Sequence, residues 1–305
     1  MSLAELRVGF IGTGNIGNPM AMNVLKAGFP LTVHDARRAA TENLLSAGAS
    51  WANSAAAVAE ASDVVLASLP GPAESEAVAL GPNGVLDGLK RGGIFVDLTT
   101  SSPAMAKKIS AAFAERDLGM LDAPVTGGVP GARAGQLTII VGGDASSLER
   151  VRPVLNAIGN RIYHMGEPGT GCIGKIANNL LALSSAFLVG EAYTLGIKAG
   201  VEPRRLHELI TNGAGYVWML DHTMPNFLFK GNFDGGFSIN LTIKDLQLAA
   251  DLGRELDVPL PFASLAEQAY VSARAAGLGN KHFEAALTLL ERLSGVEIRI
   301  PEAQS

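Results

Sequence analysis

A doubly wound α/β half followed by an all-helical half is the fold that this 305-residue sequence predicts. Three observations predict it. Short apolar runs alternate with helix-period patterns from Arg7 to about Gly166, as in a sheet covered by helices. The first run ends in Gly12-Thr13-Gly14-Asn15-Ile16-Gly17, a Gly-x-Gly-x-x-Gly turn between strand and helix. After Gly166-Glu167-Pro168-Gly169 the alternation stops, and Thr170 to Val201 runs without proline, with apolar residues at helical intervals.

The expected strands are Arg7–Ile11, Leu31–His34, Asp63–Leu69, Gly93–Leu98, Gly119–Ala123, Gln136–Val141 and Arg161–His164. Each is a short apolar run bounded by turn residues, and in this order they predict a parallel sheet. Between them, helices are expected over Asn15–Ala27, Arg37–Ala47, Ala73–Ala79, Pro103–Arg116 and Ser146–Ala157. The stretch Thr170–Val201 reads as one linking helix, on the order of 40 Å long at the usual rise. Helices over Pro203–Asn212, Ile243–Leu256, Pro261–Ala275 and Phe283–Ser294 follow. The expected division is a dinucleotide-binding domain of Rossmann type over 1–166 and a helical substrate and oligomerisation domain over 167–305.

The glycine turn carries the first chemical reading. Gly12 allows the tight turn, Gly14 lets the backbone approach a pyrophosphate, and Gly17 lets helix and strand pack closely. Asn15 and Ile16 complete the loop, and the N–H groups of the helix N-terminus suit an anion. Asp35 ends the second strand eighteen residues after Gly17, where a carboxylate accepts from the ribose 2′-hydroxyl of NAD and repels a 2′-phosphate. Arg37 and Arg38 follow at once, and an arginine there suits NADP. NAD is the expected cofactor, with NADP left open.

Composition narrows the classes. A net charge of −5 points to neither nucleic acid nor an anionic membrane as partner. The one cysteine, Cys172, permits no intramolecular disulfide and suits the cytoplasm. The apolar run around Leu180–Val189 falls short of a membrane span. It reads as a buried or interface helix. Five scattered histidines give no metal-ligand spacing, and no metal is expected.

Three longer segments stand out beside the glycine turn. They are Asp122-Ala123-Pro124-Val125-Thr126-Gly127-Gly128, then Gly169-Thr170-Gly171-Cys172-Ile173-Gly174-Lys175 running on to Asn179, and Lys244-Asp245-Leu246. In this order, over nearly the whole chain, the set resembles the β-hydroxyacid dehydrogenase family, whose members include 3-hydroxyisobutyrate dehydrogenase and tartronate semialdehyde reductase. The resemblance implies hydride transfer between a nicotinamide cofactor and a small 3-hydroxy acid. It implies Lys175 as catalytic acid and base, Asn179 as its partner, and Thr126 with Gly127 and Gly128 as the carboxylate holder. Lys244 falls on the nicotinamide side, while Leu69, Pro70 and Thr100 line the cofactor. The family commonly has serine where this chain has Thr126, so the added methyl narrows the pocket.

The residue chemistry supports these roles separately. Oxidising an alcohol needs a base for the hydroxyl proton, and a lysine serves if its pKa falls to about 7–8. Burial and a second cation both push a lysine down, and Lys244 is the candidate cation. Residues 175 and 179 lie one helical turn apart. Gly127 and Gly128 leave their N–H groups unobstructed. Tyr216, Trp218 and Phe237 form either an apolar wall for a bulky 3-hydroxy acid or part of the core. An NADPH-dependent semialdehyde or imine reductase is the alternative within the class. A cofactor-binding interaction protein without catalysis is the alternative outside it. Apolar residues on several faces of the linking helix predict a homodimer or homotetramer.

Overall fold

The computed structural model describes residues 6–300. The chain divides into two compact units, one running to Lys175 and one from Ile176 onward. The division falls within a single helix, Thr170–Lys198.

The first unit is built on nine strands: β1 (Val8–Ile11), β2 (Leu31–His34), β3 (Ser50–Trp51), β4 (Val64–Ala67), β5 (Ile94–Asp97), β6 (Gly119–Asp122), β7 (Val125–Thr126), β8 (Leu137–Gly143) and β9 (Gly159–Gly166). Their order is β3-β2-β1-β4-β5-β6-β8-β7, with β9 also paired to β8. Alternate residues face opposite sides. Val8, Phe10, Leu66 and Val96 pack with Met20, Val24 and Val151 on one side. Ile11, Val65, Ala67 and Phe95 pack with Val58, Ile109 and Phe113 on the other. Both faces are therefore buried, as doubly wound sheets require.

The expected all-parallel sheet holds only from β3 to β6. Strand β8 runs antiparallel to β6 and β7. The reason is local. Ala123 and Pro124 interrupt what would be one long strand, so β6 and β7 pair with successive parts of β8. The seven-residue helix Gly128–Ala134 is too short a connection for a parallel crossover, and a short return gives antiparallel pairing. The longer helix Ala145–Ile158 then restores a parallel pair between β8 and β9.

All seven expected strands are present within a few residues. The elements the pattern does not predict are β3, β7 and the helices Ala55–Glu60, Val85–Gly88, Gly128–Ala134 and Met219–His222, each too short to show a period. The helix expected over Arg37–Ala47 is a 3₁₀ turn, Arg38–Thr41, followed by Glu42–Ser46. Ser102 caps the helix Pro103–Ala114 by accepting from Met105 N–H, and Asp144 caps the helix Ala145–Ile158 through Ser147 N–H. Both are side-chain acceptors of the kind helix starts favour.

The second unit is helical. Leu183, Ala186, Val189 and Tyr193 of Thr170–Lys198 share a core with Leu246 of Ile239–Glu255, Ala266 and Tyr270 of Pro261–Ala273, and Leu287. A Cβ on Gly190 would lie 2.7 Å from Leu287 Cδ2, and one on Gly196 would lie 2.6 Å from Leu206 Cδ2, so these glycines allow close helix packing. The long helix ends at Lys198 rather than Val201 because Gly200 takes φ +94°, a left-handed stop. By length and composition this helix is apolar enough to cross a membrane. That differs from the sequence expectation, which counted only the uninterrupted apolar run. Its buried residues build the cores of a folded chain, and Lys175, Asn178 and Asn179 lie within it.

One buried pair in this unit is charged with consequence. Glu284 is fully buried, accepts from Thr223 Oγ1 and Leu228 N–H, and burial raises its carboxyl to about 7. His282 accepts from Phe237 N–H at Nδ1, which requires a lone pair there, and burial lowers its imidazole to about 3. Their side chains lie 3.9 Å apart. Glu284 contributes its stability in full below about pH 4.5 and loses it as pH rises to about 7. His282 contributes in full above about pH 6.5 and loses it as pH falls to about 3. Between pH 4.5 and 6.5 the two slopes oppose. Glu284→Gln is expected to remove the opposing slope, so that the variant's stability relative to the parent rises by up to about 1.4 kcal/mol per pH unit over that window. Urea unfolding at several pH values measures this; parallel pH curves for variant and parent would contradict it.

Candidate functional site

In the first unit the glycine turn has the geometry a dinucleotide needs. Gly12 takes φ +84°, and a Cβ there would lie 2.3 Å from the Ser68 carbonyl oxygen. A Cβ on Gly17 would lie 1.9 Å from the Gly12 carbonyl oxygen. At Gly14 a Cβ would meet nothing within 4 Å. The outer two glycines are thus fixed by packing. The middle one faces open space, where only a ligand would profit from the missing side chain. Asn15 and Ile16 lead directly into the helix Gly17–Lys26.

Asp35 stands against this turn. Its Oδ2 accepts from Thr13 N–H at 2.7 Å and its Oδ1 from Arg37 N–H at 2.8 Å. The two arginines differ in placement. Arg37 is exposed, and the Arg38 guanidinium lies over the Trp51 ring at 5.4 Å. Leu69 N–H donates to Thr99 Oγ1 at 3.0 Å, and Thr99 N–H donates to Asp97 Oδ1 at 3.0 Å. Pro70 is exposed and Thr100 half-buried. Burial raises the Asp97 carboxyl to about 6 against the hydrogen bonds from Thr99.

Thr126 closes β7 opposite Thr138. Gly127 at φ +124° and Gly128 at φ +64° follow, two left-handed positions in succession that side chains disfavour. The turn is half-buried at Thr126 and Gly127 and exposed at Gly128. Lys175 is only 7% exposed, in the second turn of Thr170–Lys198. The first turn of that helix is fastened by Asp122, whose Oδ1 accepts from Gly169 N–H and Oδ2 from Cys172 N–H, both at 2.8 Å.

In the second unit, Asn179 is buried and its Nδ2 donates to Asp245 Oδ2 at 2.5 Å. Asn178 Nδ2 donates to Asn179 Oδ1 at 3.0 Å. Lys244 Nζ lies 2.8 Å from Asp245 Oδ1. Lys244, the candidate second cation, is therefore one half of an ion pair with this carboxylate. Asp245 itself is 2% exposed; adjacency to Lys244 alone reads as a surface pair, which hides its role. Trp218 is 52% exposed and stacks on His222 at 4.1 Å. Tyr216 is exposed too, whereas Phe237 packs against the helical core. Sequence reasoning gave no role to Asp97, Thr99 or Asp122, although Asp122 opens one of the segments it singled out.

Strand, glycine turn and helix, with an acid ending the second strand, define a nicotinamide-dependent oxidoreductase. Residues 7–166 match the NAD binding domain of 6-phosphogluconate dehydrogenase, and residues 169–290 match the NAD-binding domain of NADP-dependent 3-hydroxyisobutyrate dehydrogenase. The chain is 39% identical to 2-(hydroxymethyl)glutarate dehydrogenase of Eubacterium barkeri, over 96% of this chain and 98% of that one. It is 37% identical to the NAD-dependent L-serine dehydrogenase of Pseudomonas aeruginosa, over 95% and 99%. Mycobacterium tuberculosis 3-hydroxyisobutyrate dehydrogenase, solved with L-serine, superposes with a TM-score of 0.85 at 32% identity, over 93% and 99%. The chain belongs to the β-hydroxyacid dehydrogenase family, in its 3-hydroxyisobutyrate dehydrogenase branch. It is an NAD(P)-dependent 3-hydroxyacid dehydrogenase acting on a CH–OH group.

The glycine turn supports one direct test. Gly17→Ala must push the helix Gly17–Lys26 off the Gly12 carbonyl, and is expected to weaken NADH affinity at least tenfold while the fold survives. Fluorescence titration with NADH measures this; unchanged affinity would mean that the turn is structural only.

Proposed function

We propose that the chain oxidises a 3-hydroxypropanoate carrying a substituent at C2 to its semialdehyde, with Lys175 as acid and base. The substrates in the relatives' names share that skeleton. In 2-(hydroxymethyl)glutarate, serine and 3-hydroxyisobutyrate a CH₂OH group and a carboxylate sit on one carbon, and only the third group differs: carboxyethyl, ammonium or methyl. The invariant parts match the residues proposed. Thr126 Oγ1 with the Gly127 and Gly128 N–H groups takes the carboxylate, and Lys175 Nζ takes the hydroxyl proton. Asn179 orients the reacting oxygen, its own amide held by Asp245. Lys244 and Trp218 complete the substrate side. The single observation that carries the reading is the burial of Lys175 just after a clamped helix start, where a held, desolvated lysine is suited to acid–base work.

Gly12, Gly14, Asn15, Ile16, Gly17, Asp35, Arg37, Leu69, Pro70 and Thr100 would hold the cofactor, which supplies the hydride acceptor. NAD is the preferred form in this reading. The Asp35 carboxylate, oriented by the Thr13 and Arg37 amides, disfavours a 2′-phosphate, and Arg38 is engaged with Trp51. Residues 1–166 would act as the cofactor domain and 167–305 as the substrate and oligomerisation domain. The single thiol supports a reducing compartment, the cytoplasm.

A panel of C2-substituted 3-hydroxypropanoates, 2-hydroxy acids and semialdehydes with NAD(H) and NADP(H) tests this reading. The expected result is fastest oxidation of a C2-substituted 3-hydroxypropanoate with NAD. Lys175→Ala is expected to lower kcat by about 10²–10⁴ with NADH affinity kept. Preference for 2-hydroxy acids, or full turnover in the lysine variant, would overturn it.

The helical unit also supports self-association. Leu181, Leu188 and Leu195 lie seven residues apart on Thr170–Lys198 and are 71%, 63% and 73% exposed. An apolar stripe of this kind calls for a partner, and a homodimer or homotetramer would supply it. Light scattering is expected to give a multiple of the chain mass, reduced by Leu188→Glu; a monomeric parent would refute the oligomer.

A further inference from the structure

We propose that Asp122 is a positioning residue for the hydride-transfer reaction, because its carboxylate fastens to β6 the helical turn that precedes Lys175. The inference rests on Lys175 being the acid and base. Asp122 is the last residue of β6 and is 1% exposed. Each carboxylate oxygen receives one backbone N–H from the start of the helix, Gly169 on Oδ1 and Cys172 on Oδ2. Those donors lie three residues apart, so the carboxylate spans the first turn.

The backbone contacts show how closely that turn is seated. A Cβ on Gly171 would lie 2.4 Å from the Asp122 carbonyl oxygen and 2.5 Å from that of Ile140. A Cβ on Gly142 of β8 would lie 2.6 Å from Asp122 Oδ1 and 2.7 Å from Gly171 N. A Cβ on Gly174 would lie 2.8 Å from Ile140 Cγ2. Gly142, Gly171 and Gly174 therefore let helix and sheet approach closely at these three points. Lys175 follows Gly174 directly, so its Cα moves with this turn.

Only a carboxylate suits the place. It offers two acceptors and no donor, and it puts negative charge at a helix start. Asparagine would turn an NH₂ toward one of the two N–H groups. Burial pushes the Asp122 carboxyl up, and the hydrogen bonds from Gly169 and Cys172 pull it down. The Cys172 thiol, pushed far up by burial, stays neutral and, like its N–H, hydrogen-bonds Asp122. Hydride transfer depends steeply on placement, and a shift of about 1 Å can cost about a hundredfold in rate.

The experiment compares Asp122→Asn, Gly171→Ala and Lys175→Ala with the parent as full-length enzymes. Readouts are NADH affinity, kcat, KM for the hydroxy acid, the pH profile of kcat, and amide exchange at residues 169–175. Asp122→Asn is expected to keep NADH affinity within about twofold, lower kcat by about ten- to hundredfold, shift the pH profile, and speed exchange in the first turn. Gly171→Ala leaves every charge in place but displaces the same turn, and is expected to show the same kcat loss. Wild-type kcat in both variants, with Lys175→Ala inactive, would overturn the positioning role alone. Parallel loss of NADH affinity and kcat would also overturn it, by placing Asp122 in support of the cofactor domain. Full activity in Lys175→Ala would instead remove the reading on which it rests.

Discussion

The seating of one helical turn on one pair of strands underlies the rest of this molecule. Residues 169–174 enter the helix Thr170–Lys198 against β6 and β8 with glycines at the closest approaches. Such contact exchanges side-chain entropy and bulk for backbone proximity, and it leaves the N–H groups of the turn to be met by a single carboxylate. The sheet must first be built for this seat to exist, since Asp122 and Gly142 lie on neighbouring strands paired with each other.

The order of elements was legible because each long element repeats its period several times. Phe10 and Val8 point to one side of β1 and Ile11 to the other, and that alternation is written in the residues. The antiparallel return at β8 was not legible. It depends on Pro124 splitting a strand and on a helix of seven residues, and neither changes the apolar pattern. At the site, the glycines of the turn could be read from spacing, because their roles are steric and local. Asp245 and Asp122 could not. Each acts on a segment more than forty residues away, and nothing in a linear sequence marks such a partner.

The electrostatics of the second unit also depart from a reading of single residues. Lys244 viewed alone is a cation free to act on a neighbour. In the folded unit it shares Asp245 with Asn179, so charge and hydrogen bond meet on one carboxylate. Asp245 thus receives a hydrogen bond on Oδ2 and a compensating charge beside Oδ1. The Asn179 amide is thereby held in one orientation, its nitrogen toward Asp245 and its oxygen toward Asn178.

The buried pair His282 and Glu284 has a further consequence. Between about pH 4.5 and 6.5 unfolding exposes a carboxyl that releases a proton and an imidazole that takes one up. From these two groups the transition then exchanges no net proton with solvent. These two groups would therefore add nothing net to the dependence of the unfolding heat on the ionisation enthalpy of the buffer, although both titrate there.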